Sequence, residues 1–283
     1  MRKSTILCDF DLDGAGCCLL TKWVHPNREF QFIGTNEKEL MSYLSEADPK
    51  APVFVYDIAF DQSHIDIADR PNVVFVHHHE PQTNLIAKNC KVICHQETSC
   101  VKLLQKLYQP DLSDAQNDLL SFIDDYDCYD LLYKKSLFYN MLFWSYSGNK
   151  IEKFVEAFEN GDRPFSDLEK NMIKLYASKM LETAKNSDPH IYRAKNFNIL
   201  FFYADFAINE LCAELSKKYD CDAAVAINKK TMHAWIRINR EKQTNFDCGI
   251  FSKIYMNGHG FKNFGSGEIT DKILELSKSF NKV

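Results

Sequence analysis

The stretch STILCDFDLDG, residues 4–14, runs from an apolar segment into three alternating aspartates. Its first five residues predict a β-strand, and the residues from Gly14 onward predict the helix that follows it. Because alternate residues of an extended segment point the same way, Asp9, Asp11 and Asp13 are expected to share one face. Carboxylates crowded in this way repel one another unless cations neutralise them. The stretch therefore indicates a cation site at the end of the first strand.

Short apolar runs alternate with helical patterns through the first third of the chain. The further predicted strands are Phe30–Ile33, Pro52–Tyr56, Val73–Val76 and Lys91–Cys94. Strands and helices that alternate at this spacing predict an α/β fold with a doubly wound parallel sheet. In such sheets, ligands bind beyond the carboxyl ends of the strands.

Acidic and imidazole side chains follow three of these strands. The aspartate run follows the first strand, Asp57 follows the third, and His77, His78 and His79 follow the fourth. Taken alone, the aspartate run is typical of a calcium loop or a solvated turn, and the histidine run of a surface loop. Their joint placement favours a metal site instead. Carboxylates with one or two imidazoles suit Mn²⁺ or Mg²⁺, and several aspartates suggest two ions about 3.5–4 Å apart.

The composition of the chain limits its class and its partners. It has 283 residues, of which 45% are hydrophobic, and a formal net charge of −5. This charge argues against broad binding of long duplex nucleic acid. The sequence holds ten cysteines without a CxxC pair, which predicts reduced thiols in a cytoplasmic protein. It has no apolar run long enough to span a bilayer, so no membrane partner is expected.

Changes in pattern along the chain predict three parts. Residues 1–135 form the metal-binding α/β domain, and residues 136–188 form a helical connector. Residues 189–283 form a smaller α/β domain that begins after the turn at Asn186–Pro189.

The chain resembles the DHH phosphoesterase superfamily, which includes RecJ-like exonucleases and nanoRNase-like phosphodiesterases. DFDLDG is similar to the first motif of that family, and Asp57 to the second. His77, His78 and His79 stand where the family has Asp-His-His. Other segments that resemble family motifs are Glu97–Cys100, Asp124–Asp130, Trp235–Asn239 and Asn257–Gly267.

The resemblance implies two Mn²⁺ ions, with Mg²⁺ as the alternative. The implied ligands are Asp9 and Asp11 for the first ion, Asp13, His78 and Asp127 for the second, and Asp57 between the two. Asp124 is the alternative to Asp127 in the fourth motif. The histidine at position 77 is a departure, because it replaces the aspartate that gives the family its name.

The resemblance also implies how a substrate is held. His79 would contact the scissile phosphate or its leaving group, which makes it a catalytic residue together with Asp57. In the DHH-associated domain, Arg237 and His259 would bind phosphate or a terminal nucleotide. Gly258 and Gly260 would let the backbone approach the substrate closely.

The implied function is phosphodiesterase or phosphatase activity on short oligonucleotides, dinucleotides or nucleoside bisphosphates by two-metal catalysis. A RecJ-like 5′–3′ exonuclease of single strands is one alternative. A catalytically weak nucleotide-binding protein of the same fold is another, and the His77 substitution favours it. An inorganic pyrophosphatase is disfavoured, since that family has a histidine where Leu7 stands. The implied partner is a short nucleotide, and a homodimer is left open.

Overall fold

The structure of the chain is a computed structural model that describes residues 3–79, 84–194, 196–278 and 281–282. The chain divides into two compact units, Met1–Lys174 and Leu175–Val283. The three-part division inferred from the sequence stays a prediction.

The first unit alternates strands and helices before it becomes wholly helical. Its described strands are β1 (Ser4–Asp9), β2 (Phe30–Thr35), β3 (Val53–Tyr56), β4 (Val73–His77) and β5 (Lys91–Cys94). Its helices are α1 (Leu12–Val24), α2 (Glu37–Glu46), α3 (Gln62–Ala68), α4 (Cys100–Tyr108), α5 (Asp114–Asp127), α6 (Lys134–Ser145) and α7 (Lys150–Ala157), with α8 (Asp167–Asn186) crossing into the second unit.

The strands β1 to β5 form one parallel sheet in the order β2-β1-β3-β4-β5. The chain therefore moves outward from β1 in both directions, and its carboxyl-end loops gather where the direction changes, beside β1 and β3. The predicted parallel α/β fold is confirmed.

Alternate strand residues pack against helices on the two faces of this sheet, as the period of a β-strand requires. One face packs against α2 and α3 in a buried apolar cluster that includes Leu7, Leu40, Leu44, Val53, Val55, Ile65, Val73 and Phe75. The other face packs against α1, where the Thr21 hydroxyl donates to the Tyr56 hydroxyl at 3.2 Å. The Cys8 and Cys18 sulfurs lie 3.6 Å apart at the same interface. This double cover holds the strand ends in fixed positions.

The second unit is built on a mixed sheet. Its strands are β6 (His190–Arg193), β7 (Asn198–Tyr203), β8 (Ala223–Asn228), β9 (His233–Ile238), β10 (His259–Gly260), β11 (Phe264–Glu268) and β12 (Asn281–Lys282), and its helices are α9 (Ile208–Lys218), α10 (Cys248–Tyr255) and α11 (Asp271–Lys278). The strand order is β10-β11-β9-β8-β7-β6-β12, in which the β7–β8 pair is parallel and the other pairs are antiparallel.

Among the residues that the structure describes, no helix is long and apolar enough to cross a membrane.

Candidate metal centre

The aspartates of the first segment belong to two different structural elements. Asp9 is the last residue of β1, and Asp11 is the N-cap of α1, with its carboxylate accepting a hydrogen bond from the Gly14 amide at 2.8 Å. Helix α1 begins at Leu12, so Asp13 already lies in its first turn. The expectation that the three aspartates share one extended face is therefore wrong, because the helix begins two residues before the predicted start.

Gly14 allows this tight passage from strand to helix. A Cβ atom at Gly14 would lie 2.2 Å from the carbonyl oxygen of Asp9, which is backbone and cannot move aside cheaply. Only glycine fits there, and the close approach brings the first turn of α1 back onto the end of β1.

Asp13 is held by the N-terminus of another helix. Its two carboxylate oxygens accept hydrogen bonds from the backbone amides of Cys100, at 2.6 Å, and Val101, at 2.9 Å. These amides belong to the first turn of α4, whose own N-cap is Ser99. The positive end of a helix dipole favours an anion at this position. The segment Glu97–Cys100 therefore orients Asp13.

Asp57 and His78 follow the ends of the central strands β3 and β4. Both are buried, with 8% and 7% of their surface exposed. Asp57 has a left-handed backbone conformation, with φ of 61°, and its amide donates to the carbonyl of Val76 at 3.0 Å. Such a conformation is uncommon for a residue with a side chain and persists only where its surroundings impose it. It directs the chain sharply away from the strand end and leaves the carboxylate beside its neighbours.

The ring of His78 is oriented as a metal-ligating imidazole requires. Its Nε2 atom lies 3.2 Å from a carboxylate oxygen of Asp57 and 3.9 Å from one of Asp127. Its Nδ1 atom lies 3.3 Å from the carbonyl oxygen of Glu97, which can only accept a hydrogen bond. The proton is therefore assigned to Nδ1, which leaves the Nε2 lone pair facing the carboxylates.

The last turn of α5 carries three aspartates with different surroundings. Asp124 accepts hydrogen bonds from the hydroxyls of Thr98 and Ser99. Asp125 is buried and accepts from the amides of Leu132 and Tyr133 and from the hydroxyl of Ser136. Asp127 lies against His78. Asp127 is thus the one of the three that the structure brings to the other predicted ligands.

The predicted ligands form two groups, each with its ligand atoms within 4.8 Å of one another. One group contains Asp13, His78 and Asp127, and the other contains Asp9, Asp11 and Asp57. Asp57 also contacts the first group, because one of its carboxylate oxygens lies 3.2 Å from the Nε2 atom of His78. The structure thus brings all six predicted positions together, with Asp57 in contact with both groups.

Nearby positive charge would stabilise the ionised form of the buried aspartates in both groups. Burial raises the pKa of Asp11 and Asp57 well above the usual range, and neighbouring aspartates raise it further. Burial raises the pKa of Asp9 to about 6, and it also raises the pKa of Asp13 against the opposing effect of His78. Divalent cations would relieve this repulsion, and a set of carboxylate oxygens with one imidazole nitrogen fits Mn²⁺ or Mg²⁺.

The flanking histidines lie on either side of His78. The ring of His79 packs against that of His78, with centroids 3.9 Å apart and an interplanar angle of 34°. His77 ends β4, where burial is the largest cause that lowers its pKa to about 4. It is therefore neutral at neutral pH, whereas an aspartate in its place would add a negative charge near the site.

The remaining predicted residues lie in the second unit. The Arg237 Nε atom donates to the side-chain oxygen of Asn209 at 2.6 Å, a partner that the sequence did not reveal. Cβ atoms at Gly258 and Gly260 would collide with the backbone of β11, so close packing within the β10–β11 hairpin already requires both glycines. The side chain of His259 lies outside the part of the chain that the structure describes.

Comparisons with known proteins rest on structure alone, since no protein-family model and no curated protein matches the chain by sequence. The chain is similar to the pGpG-specific phosphodiesterase PggH of Vibrio cholerae, with a TM-score of 0.60, 12% identity, and coverage of 98% of this chain and 97% of that chain. It is also similar to RecJ of Thermus thermophilus in complex with Mn²⁺, with a TM-score of 0.62 and 9% identity. That match covers 98% of this chain and 51% of RecJ.

A third similar structure is an exopolyphosphatase-related protein of Bacteroides fragilis, with a TM-score of 0.51 and 13% identity, covering 98% of this chain and 90% of that one. The chain has the fold of the DHH phosphoesterases. The resemblance inferred from the motifs is confirmed at the level of the fold. At identities this low, a shared fold does not establish which metal or substrate a protein binds. The evidence for both has to come from the residues of this chain.

The raised carboxyl pKa values predict how stability depends on pH. Without metal, the folded chain binds more protons than the unfolded chain between the ordinary aspartate pKa of 3.8 and the value of about 6 for Asp9. The stabilising contribution is full below this range and is lost as pH rises through it. We therefore expect the melting temperature in EDTA to fall from about pH 4.5 to pH 7, and Mn²⁺ to raise it more at pH 7 than at pH 5.

The matched control is the Asp57→Asn variant, which removes one of the mutually repelling charges. In EDTA, the melting temperature of this variant should fall less with rising pH than that of the unmodified protein. An Mn²⁺ effect of equal size at pH 5 and pH 7 would contradict the assignment of these carboxyls as the metal site.

Because their surroundings differ, substitution of Asp125 should lower the stability of the fold, whereas substitution of Asp127 should lower the affinity for Mn²⁺. Asp125→Ala leaves two backbone amides and a hydroxyl without their buried acceptor, so the free energy of unfolding should fall by about 2–4 kcal/mol. Asp127→Ala removes a negative charge that raises the pKa of Asp57, so metal-free stability should be kept while Mn²⁺ affinity falls at least about tenfold. Urea denaturation and calorimetric titration measure the two effects, and the reverse pattern would overturn the assignment.

Proposed function

We propose that this chain is a divalent-metal-dependent phosphoesterase that hydrolyses short oligonucleotides, dinucleotides or nucleoside bisphosphates. Its cofactors would be two Mn²⁺ ions, with Mg²⁺ as the alternative. The observation that carries the proposal is the pair of adjacent ligand groups, each with ligand atoms within 4.8 Å, that share contacts through Asp57.

Each predicted metal ligand of the first unit would have its own role. Asp9 and Asp11 would hold one ion, and Asp13, His78 and Asp127 the other, with Asp57 shared. Two bound divalent ions lower the pKa of a water molecule and stabilise the negative charge that develops on a phosphoryl group. The amides of α4 keep the Asp13 carboxylate in place, and the Glu97 carbonyl accepts from Nδ1 of His78, which turns its Nε2 atom toward the carboxylates.

His79 and Arg237 would act on the substrate. The packing of the His79 ring against His78 limits its rotation, so the imidazole can donate a hydrogen bond to a phosphate oxygen or to the leaving group. The Nε bond of Arg237 to Asn209 fixes its guanidinium, which would bind a substrate phosphate together with His259.

Two features favour a small nucleotide over a long strand. The chain has a net charge of −5, whereas a groove that tracks a long single strand needs excess positive charge. One of the structures that it resembles is PggH, a protein described as pGpG-specific. A RecJ-like exonuclease therefore remains the second candidate.

We expect the purified chain to hydrolyse short RNA and DNA dinucleotides in the presence of Mn²⁺ and to stop on addition of EDTA. Asp57→Ala should lower kcat/KM at least about a hundredfold, since it removes a carboxylate that both ligand groups contact. Asp118→Ala, which removes an exposed aspartate from α5, serves as the matched control and should change the rate little.

The substrate panel also separates the alternatives. Fast degradation of a long single strand would favour the exonuclease, and turnover of pyrophosphate alone would favour a pyrophosphatase. Mn²⁺ binding without turnover of any substrate would favour the non-catalytic nucleotide-binding protein.

A further inference from the structure

The residues that lead into helix α4 contact two side chains of the ligand group Asp13, His78 and Asp127. The Glu97 carbonyl oxygen lies 3.3 Å from the Nδ1 atom of His78, and the Glu97 amide donates to the His78 carbonyl at 3.0 Å. The first two amides of α4 donate to the two carboxylate oxygens of Asp13. We call residues 97–101 the α4 entry segment. Its position therefore determines where two of the three ligand side chains lie.

The third ligand side chain of this group belongs to α5. Asp124 precedes Asp127 by three residues, and side chains at this spacing lie on the same face of a helix. One oxygen of the Asp124 carboxylate accepts hydrogen bonds from the Thr98 hydroxyl at 2.5 Å and from the Ser99 hydroxyl at 2.6 Å. Lengths of about 2.5–2.7 Å are typical of strong hydrogen bonds between a hydroxyl and a carboxylate. Asp124 thus joins the face of α5 that carries Asp127 to the α4 entry segment.

The contact between Ser99 and Asp124 lies at the point where α4 begins. Ser99 is fully buried, and as the N-cap its hydroxyl oxygen accepts a hydrogen bond from the Lys102 amide at 3.2 Å. The same hydroxyl donates its proton to Asp124. An N-cap side chain stabilises the first turn of its helix, and the amides that hold Asp13 belong to this turn. Asp124 therefore supports the position of Asp13 as well as that of Asp127.

Repulsion between the aspartates makes such a connection necessary before a metal ion binds. Burial is the main cause that raises the pKa of Asp57, and the negative charge of Asp127 raises it further. An ionised Asp127 is therefore repelled from the strand ends that carry the other ligands. This repulsion would move α5 away from the sheet unless another contact opposed it. The hydrogen bonds of Asp124 oppose it, because they connect α5 to α4.

We propose that Asp124 is a positioning residue that keeps Asp13, His78 and Asp127 at the spacing needed to bind one divalent ion. This inference rests on the proposed function and deepens it, since it gives the Asp124 carboxylate a role in metal binding other than that of a ligand. Ligands that are already in place lose little freedom when the ion binds, so the ion binds more tightly.

The test compares Asp124→Ala with Asp124→Asn by calorimetric titration of the full chain with Mn²⁺ at pH 7. Both variants lose the same charge, but only asparagine keeps a side-chain oxygen that can accept both hydroxyl hydrogen bonds. Asp124→Ala should weaken one of the two Mn²⁺ sites at least about tenfold and leave the other unchanged. Asp124→Asn should weaken the same site by no more than about threefold.

Asp118→Ala is the matched control, since it removes an exposed aspartate from the same helix and should leave both sites unchanged. Equal losses in Asp124→Ala and Asp124→Asn would overturn the proposal, because Asp124 would then act through its charge or as a ligand. Unchanged binding in Asp124→Ala would overturn it as well. Equal weakening of both Mn²⁺ sites would also contradict it, because a general loss of structure would explain that result.

The Mn²⁺ dependence of hydrolysis gives a second readout. The Mn²⁺ concentration that produces half of the maximal rate should rise at least about tenfold in Asp124→Ala, and by no more than about threefold in Asp124→Asn. A rise of equal size in the two variants would contradict a role through hydrogen bonds.

The calorimetric comparison also separates failure of this inference from failure of the proposed function. If the chain binds Mn²⁺ but hydrolyses no substrate, the phosphoesterase proposal fails, and the titrations still decide the role of Asp124. If the chain is active and Asp124→Ala binds Mn²⁺ as the unmodified protein does, this inference fails and the phosphoesterase proposal stands. If the unmodified chain binds no Mn²⁺ and no Mg²⁺, both are overturned.

Discussion

Repulsion between buried carboxylates is the constraint on which the first unit depends. Asp11, Asp13 and Asp57 all have pKa values raised chiefly by burial, and the charges of neighbouring aspartates add to the effect at Asp11 and Asp57. A fold chosen for stability alone would not collect such groups at one edge of its sheet. Backbone amides hold the carboxylates of Asp11 and Asp13 in place, and bound divalent cations would remove the repulsion. The stability of the first unit and its metal binding are therefore expected to be tightly linked.

The backbone around the site does most of the positioning. Amides of α4 hold Asp13, the Gly14 amide holds Asp11, and the Glu97 carbonyl orients His78. Each of these contacts comes from a loop or helix terminus at the carboxyl edge of the parallel sheet. Rigid elements thus present the ligands, as catalytic constellations require. His77 is neutral, so it adds no negative charge to a site that already has several aspartates, whereas an aspartate at this position would add one.

Much of the first unit could be predicted from local patterns. The parallel sheet follows from alternating strands and helices, and the placement of Asp57 and His78 follows from their positions directly after strands. The path of the chain through the aspartate run could not be predicted as well. An extended segment and an early helix start both suit Asp-x-Asp-x-Asp-Gly, and the close packing of Gly14 against Asp9 decides between them.

Tertiary contacts also decide which of several similar residues reach the site. The run Asp124–Asp130 offers several carboxylates at adjacent positions, and periodicity does not separate them. Burial of Asp125 against the amides of Leu132 and Tyr133 assigns it a structural task, and this depends on how the loop after α5 folds. The segment Asn257–Gly267 shows no strand pattern in the sequence, although it forms the β10–β11 hairpin, because its short strands pair through backbone contacts that leave little pattern in the side chains.

The most direct measurement of the central claim is anomalous diffraction at the manganese edge from crystals of the chain grown with Mn²⁺. We predict two peaks about 3.5–4 Å apart, one beside Asp9 and Asp11 and the other beside Asp13, His78 and Asp127, with the Asp57 carboxylate between them. A single peak, or ions bound away from these residues, would contradict a two-metal phosphoesterase site.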